Sequence, residues 1–296
     1  MKTGFKIIEE NLIKTYLLMG LFIGIIFGLG YLIALFSKEP LIFYIFAFIG
    51  IFINIISYFY GDKIITHLTG AKEVSRRDLL EVYNILENLS ISIGLPKTPK
   101  LYLIESNAMN AFATGRNYHN SLVAVTSGLV NNLSKEEIEG VIAHELAHIK
   151  NRDIVVMMVS TILSGIIVIM ADMFLRMSMY DNRDSKHNTF LMIFGFLLVF
   201  LAPIFAQLIH LAISRKREYM ADASGALFTR NPEGLARALE KISKQSASLD
   251  VSPATASLFI INPFKGKGGV INWLGNLFST HPPVEERIRL LRNMVL

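Results

Sequence analysis

The sequence predicts a mostly α-helical membrane protein with four transmembrane helices and an α+β domain, in which a small β-hairpin or sheet lies beside one long capped helix. Three observations carry that reading. Four apolar runs reach the length of a bilayer core, polar blocks lie between and after them, and one block joins strand-like segments to a helix with a clear start signal. Composition agrees, since 52% of the 296 residues are hydrophobic, 18% are charged and mean hydropathy is +0.44, a balance unlike that of a soluble domain. The net charge of +5 comes from Lys and Arg residues interleaved with Asp and Glu, which argues against a nucleic-acid surface. With no cysteine, disulfides and thiolate chemistry are excluded, and any metal must sit on nitrogen and oxygen.

Residues 17–36 form an uncharged apolar run of about the 20 residues that a spanning helix needs. Ser-Lys-Glu-Pro at 37–40 breaks it, and a second run follows to Tyr60 with tyrosines near both ends, so residues 1–60 read as a tight transmembrane hairpin. The first run exceeds the roughly 7–15 residues of a signal-peptide core, and no small-residue cleavage pattern follows it. Residues 154–175 and 190–213 read as a second hairpin within 154–213, although Asp172, Pro203, Gln207 and His210 would equally suit helices facing a cavity. Basic residues mark the cytoplasmic side. Lys2, Lys6 and Lys14 precede the first span, Lys63, Lys72, Arg76 and Arg77 follow the second, Lys150 and Arg152 precede the third, and Arg215, Lys216 and Arg217 follow the fourth. Both termini and the polar blocks 61–153 and 214–296 are therefore expected in the cytoplasm, on a multi-pass protein of the cell membrane.

The block 61–153 opens with Leu79, Leu80, Val82, Tyr83, Leu86 and Leu89 at helical spacing, ended by Gly94 and Pro96. Residues 101–106 and 122–128 read as short strands. Between them, residues 110–121 suit a loop with turn-forming Gly115, Asn117 and Asn120; the alternative is an exposed strand able to pair with an extended peptide, with Asn110, Ala111 and Phe112 as substrate-binding residues. Ser134 and Glu137 then have the spacing of a capping box, which starts a helix over about 134–150.

That helix carries His144-Glu145-Leu146-Ala147-His148. Residues four apart project from one face, so both imidazoles can converge on one ion, while Glu145, rotated by about 100°, can reach a water bound to it and act as general base. An ordinary solvated helix face is the bland alternative. A catalytic zinc normally takes three protein ligands, and no histidine follows His148 at short spacing, so the third must come from a distant segment. Glu218 and Asp222 share one face of a probable helix after residue 213. Alone they would read as a charge cluster; the missing ligand is what singles them out. One carboxylate would complete the set, and the other could accept a hydrogen bond from a ligand imidazole.

HELAH followed by Ile149-Lys150-Asn151-Arg152-Asp153, the later SRKREYMAD, the NAFATG segment, and Ser279-Thr280-His281-Pro282-Pro283 with Glu285-Glu286-Arg287 together resemble the HtpX heat-shock membrane proteases over nearly the whole chain, and more distantly the zinc peptidases that trim prenylated proteins. The resemblance implies a zinc endopeptidase facing the cytoplasm, with one Zn2+ per chain and polypeptide substrates, membrane proteins among them, in quality control under stress. It also implies Glu218 as third metal ligand, Asp222 as the partner behind it, and Asn151 and Asp153 as braces of the helix end. His281 would hold substrate or stabilise the oxyanion. The alternative is a catalytically silent membrane scaffold with a structural zinc, against which Glu145 counts because a structural site has no use for a base. A transporter is disfavoured because the first two spans offer only Asn54 and Ser57 as polar groups.

Overall fold

The computed structural model describes residues 4–180, 215–245, 249, 255, 258–261 and 282–295. The fourth apolar run and His281 lie outside the described residues. Helix α1 (Gly4–Ser37) and helix α2 (Leu41–Thr69) form an antiparallel hairpin, turned at Pro40 and closed by Gly70 in the left-handed region. Among the described residues these are the two helices long and apolar enough to cross a membrane. Their outer faces carry exposed Leu17, Leu32, Phe36, Leu41, Phe48, Phe52 and Ile55, an apolar belt far larger than a soluble surface tolerates. Tyr16 and Tyr60 stand exposed at one end of the belt, and Tyr31 and Tyr44 toward the other.

The polar block builds a four-stranded mixed sheet from β1 (Lys72–Glu73), β2 (Lys100–Ile104), β3 (Ala111–Asn117) and β4 (Asn120–Thr126), in the order β1-β2-β4-β3. The two segments expected as strands pair in parallel with each other, Leu101 opposite Val123. The loop reading of 110–121 is corrected: Ala111–Asn117 form β3, which pairs antiparallel with β4, Phe112 opposite Ala124, and lies at the sheet edge, and the turn is confined to 118–119. The turn residues that suggested a loop sit at its end. Gly115 takes φ 135° beside a bulge, where a side chain would strike the Asn120 carbonyl, so the glycine permits the strand to turn back.

Side-chain alternation places the sheet between two cores. Phe112, Leu122 and Ala124 pack with Phe22 and Ile26 of α1, whereas Ala111, Ala113, Val123 and Val125 pack on the opposite face. That second face meets α3 (Leu80–Ser92) and α5 (Lys135–Asn151), the latter arriving after the single-turn α4 (Ser127–Asn132). Burial on both faces explains why β4 reads as a continuous apolar run. Helix α5 starts at the expected capping box, the Ser134 hydroxyl accepting from the Glu137 N–H and the Glu137 carboxylate accepting from the Ser134 N–H.

Helix α6 (Asp153–Tyr180) follows after Arg152, which takes the left-handed φ of 56° and turns the chain sharply at the end of α5. Val155, Val156, Met158 and Val159 of α6 are buried, and the helix packs on α1, α2 and β3. Its first half is thus a core helix linking the apolar hairpin to the sheet. Helix α7 (Arg215–Thr229), α8 (Pro232–Lys244) and α9 (Val284–Arg292) close the far side of α5. The start of α8 was legible only in retrospect, from Asn231 accepting from the Gly234 N–H and Pro232 in the first turn.

Candidate metal centre

Helix α5 buries His144, Glu145 and His148 together, with a single turn between the two histidines. Their Nε2 atoms stand 3.2 Å apart. Helix α7 crosses α5 at backbone contact, because a Cβ on Gly225 would lie 3.1 Å from the His144 backbone nitrogen. Glu218, Asp222 and Gly225 fall on one face of α7, so this close approach aims both carboxylates at the histidines. Glu218 Oε1 lies 3.5 Å from His148 Nε2, and Glu218 Oε2 lies 3.8 Å from His144 Nε2. One ligand atom from each of His144, His148 and Glu218 falls within 4.8 Å of the others, and all three residues are buried.

The outer ring nitrogens fix which way the inner ones face. His144 Nδ1 is 2.9 Å from Asp222 Oδ1, and His148 Nδ1 is 3.2 Å from Asp153 Oδ2. A carboxylate only accepts, so the Nδ1 atoms facing Asp222 and Asp153 carry the N–H, which leaves both Nε2 atoms turned toward each other and toward Glu218 as the inner donors. Three convergent donors in a dry site need a cation between them, which is a metal ion or, in the metal-free protein, a proton shared between the two Nε2 atoms. A tetrahedral ion bonded to two imidazoles at about 2.0–2.1 Å would set their nitrogens about 3.3–3.4 Å apart, close to the separation found. Charge points the same way: among the described residues the carboxylates of Glu145, Asp153, Glu218 and Asp222 surround the histidines and pair with Arg217 and Arg287, a surplus suited to a divalent cation. The donor set therefore fits zinc.

Burial raises the Glu145 carboxyl to about 7, aided by the charge of Glu218, although the Ala113 backbone N–H bonds to it. Burial lowers His144 to about 4 despite Asp222. For His148 burial pulls the other way but loses to the Asp153 hydrogen bond and the Glu218 charge, which hold it up at about 9. Burial would likewise raise Asp222, but Arg287 holds it down at about 2. The metal-free site thus keeps one positive charge between its carboxylates.

Three residues of the centre escaped the sequence reading. Arg287 of α9 is buried and donates Nε and Nη2 to the two Asp222 oxygens at 2.8 and 2.7 Å and Nη1 to the Ile260 carbonyl at 3.0 Å. Arg217 and Asn11 gather on Asp153. Asp153, expected as a brace of the helix end, stands against a histidine of the triad. His281 lies outside the described residues, so its expected role has no geometry.

Asn110, Ala111 and Phe112 are buried rather than open to solvent. The Asn110 amide donates to the Ile261 carbonyl at 2.8 Å, the Ala111 carbonyl accepts from the Ile260 N–H at 3.0 Å, and Phe112 stacks edge-on against Phe259. Residues 259–261 thus lie along the edge of β3 at Ala111, while two residues on, Ala113 faces Glu145.

A family model described as Peptidase family M48 matches residues 77–295, a stretch that contains α5, α7 and α9. The chain belongs to that family. Membership makes it a metalloendopeptidase of the HtpX type. Similar proteins include the Protease HtpX homolog of Syntrophobacter fumaroxidans, 47% identical over 83% of this chain and 87% of its own length. That of Dictyoglomus turgidum is 41% identical over 99% of this chain and 95% of its own. Among solved structures the fold resembles that of S. mikatae Ste24p, with a TM-score of 0.51 and 24% identity over 97% of this chain and 67% of that one. The match extends through the apolar hairpin as well as the sheet and helices.

Proposed function

We propose that this metalloendopeptidase uses zinc held by His144, His148 and Glu218, with Glu145 as general base, to cleave polypeptides at the cytoplasmic face of the cell membrane. The observation that carries the reading is the convergence of the two Nε2 atoms and the Glu218 carboxylate, each imidazole backed by an aspartate. Zinc, when bound, supplies Lewis acidity toward the scissile carbonyl and lowers the pKa of water to about 7. Glu145, buried and raised to about 7, takes a proton from the attacking water and returns it to the leaving amine. Asp222 and Asp153 hold the two imidazoles in the tautomer that leaves Nε2 free. Asn110, Ala111 and Phe112, expected to bind substrate, instead seat residues 259–261 against the start of β3, and the backbone of an extended substrate is aligned further along that edge strand, where the Ala113 N–H lies beside the base. His281 assists with substrate or the developing oxyanion.

The chain is read as crossing the membrane four times, at 1–60 and 154–213, with 61–153 and 214–296 in the cytoplasm. The apolar belt of α1 and α2 and the basic residues beside the runs support this reading. A catalytic body resting on a membrane hairpin suits damaged or misfolded membrane proteins as substrates, in a stress-linked quality-control role. The test is cleavage of an unfolded protein and of a destabilised membrane protein by the purified chain. Cleavage that stops with a zinc chelator and returns with zinc is expected; cleavage indifferent to chelation would reject the metal assignment.

A further inference from the structure

The apolar hairpin reads as an anchor, yet α1 is 34 residues long, about 51 Å at 1.5 Å per residue, and outruns a bilayer core of about 30 Å. Its first turns project beyond the apolar run 17–36 and lie against the catalytic body. There Asn11, 1% exposed, uses its whole amide on the metal centre. Its Nδ2 donates to Asp153 Oδ1 at 2.7 Å and to the Asn151 carbonyl at 2.8 Å, and its Oδ1 accepts from the Arg217 guanidinium. Arg217 in turn lies 3.0 Å from Asp153 Oδ1. The other Asp153 oxygen faces His148, and Arg217 immediately precedes Glu218. One side chain of α1 therefore clasps the carboxylate behind one ligand and the residue beside another, joining segments about 140 and 206 positions away in sequence.

Helix geometry makes this contact depend on how α1 sits. Asn11 and Thr15 continue the buried stripe formed by Leu18, Phe22, Ile26, Leu29 and Ile33, at steps of three or four. Rotation of α1, or a slip of one turn of about 5.4 Å, would carry Asn11 off Asp153 while leaving apolar side chains in apolar surroundings. A buried polar group in an apolar stripe is a register device. The neutral amide also suits the position, since it satisfies both Asp153 and Arg217, whereas a leucine would leave two buried charged groups short of a partner.

We propose that α1 is a strut of the metal centre and that Asn11 is a positioning residue, holding Asp153 and Arg217 so that His148 and Glu218 keep their ligating geometry. The proposal rests on the reading of those two residues as zinc ligands. It makes the seat of the first membrane helix a determinant of metal retention, and not only of location.

The test measures zinc transfer from the purified full-length protein in lipid nanodiscs to a chromogenic chelator, alongside thermal unfolding. Asn11→Leu should release zinc faster, toward the 10- to 100-fold loss of affinity usual when the partner of a metal ligand is disturbed. Asn54→Leu is the matched control, because Asn54 is likewise buried in α2 but, among the described residues, its amide donates only to the Gly50 carbonyl of its own helix. Zinc release from this control should be unchanged; equal acceleration in both variants would overturn the proposal. Should Asn11→Leu fail to fold, Asn11→Asp with Asp153→Asn exchanges amide and carboxylate across the contact. The exchange should restore α1 packing and melting while zinc release stays fast, because His148 then faces a neutral amide. Wild-type release from the exchange variant would show that the contact acts through packing alone. If the wild-type protein holds no zinc, the ligand assignment itself fails, which is distinguishable from failure of the Asn11 strut.

Discussion

Arg287→Met removes the buried guanidinium that ties α9 to Asp222, and its effect follows from three contacts. Two charge-assisted hydrogen bonds to Asp222, at 2.8 and 2.7 Å, and one to the Ile260 carbonyl, at 3.0 Å, are lost. Such bonds contribute about 1.5–3 kcal/mol each with a charged partner and about 1 otherwise, but all three share one guanidinium and their sum overstates the loss. Methionine fills part of the same volume, so the dominant penalty is the Asp222 carboxylate left buried beside His144, and breaking a buried pair in this way costs about 3–5 kcal/mol. At about 2–4 °C per kcal/mol for a chain of this size, the melting temperature should fall by about 6–20 °C. The assay is thermal unfolding of chelator-treated protein in detergent, so that metal binding does not contribute. Adding Asp222→Asn should recover part of the loss, because it removes the abandoned charge. A variant that melts with the wild type, or a double variant that is simply additive, would refute the idea that Arg287 compensates Asp222.

Glu218→Ala should lower zinc below one per chain in metal analysis of purified protein; unchanged stoichiometry would place the third ligand elsewhere. Asp222→Asn should keep zinc but weaken it about 10- to 100-fold in a competition titration, since an amide orients the His144 ring less firmly than a carboxylate. Gly225→Val should disturb the same centre without touching a ligand, because even a Cβ there meets the His144 backbone at 3.1 Å. Loss of zinc together with a lower melting temperature is expected, and wild-type zinc retention would mean that α7 can move away freely.

The parts of the centre that could be read in the sequence are those whose geometry is local. The four-residue spacing of His144 and His148, the capping box at Ser134, and the shared face of Glu218 and Asp222 are properties of single helices. What joined them was chemical necessity, a metal short of one ligand. Asn11, Arg217 and Arg287 were opaque because each reaches its aspartate across 64 or more positions, and nothing in the spacing around them signals a partner. Arg287 sits in an ordinary charged run on α9, and Asn11 looks like a polar residue before an apolar helix. Strand β3 was ambiguous for a different reason. Its Ala, Gly and Asn residues have weak strand preference, and pairing with β4 and packing on Phe259 override it. Helix α6 shows the limit of hydropathy, because burial against α1, α2 and β3 demands the same apolar residues as a lipid environment.

The most direct measurement of the central claim compares the wild-type protein with Glu145→Gln, for zinc content and cleavage of an unfolded polypeptide in the same preparation. Glutamine nearly preserves the shape of the side chain and does not touch the ligands, but it cannot take a proton from water. The account predicts equal zinc in both proteins and cleavage only in the wild type. Undiminished cleavage by the variant would contradict it.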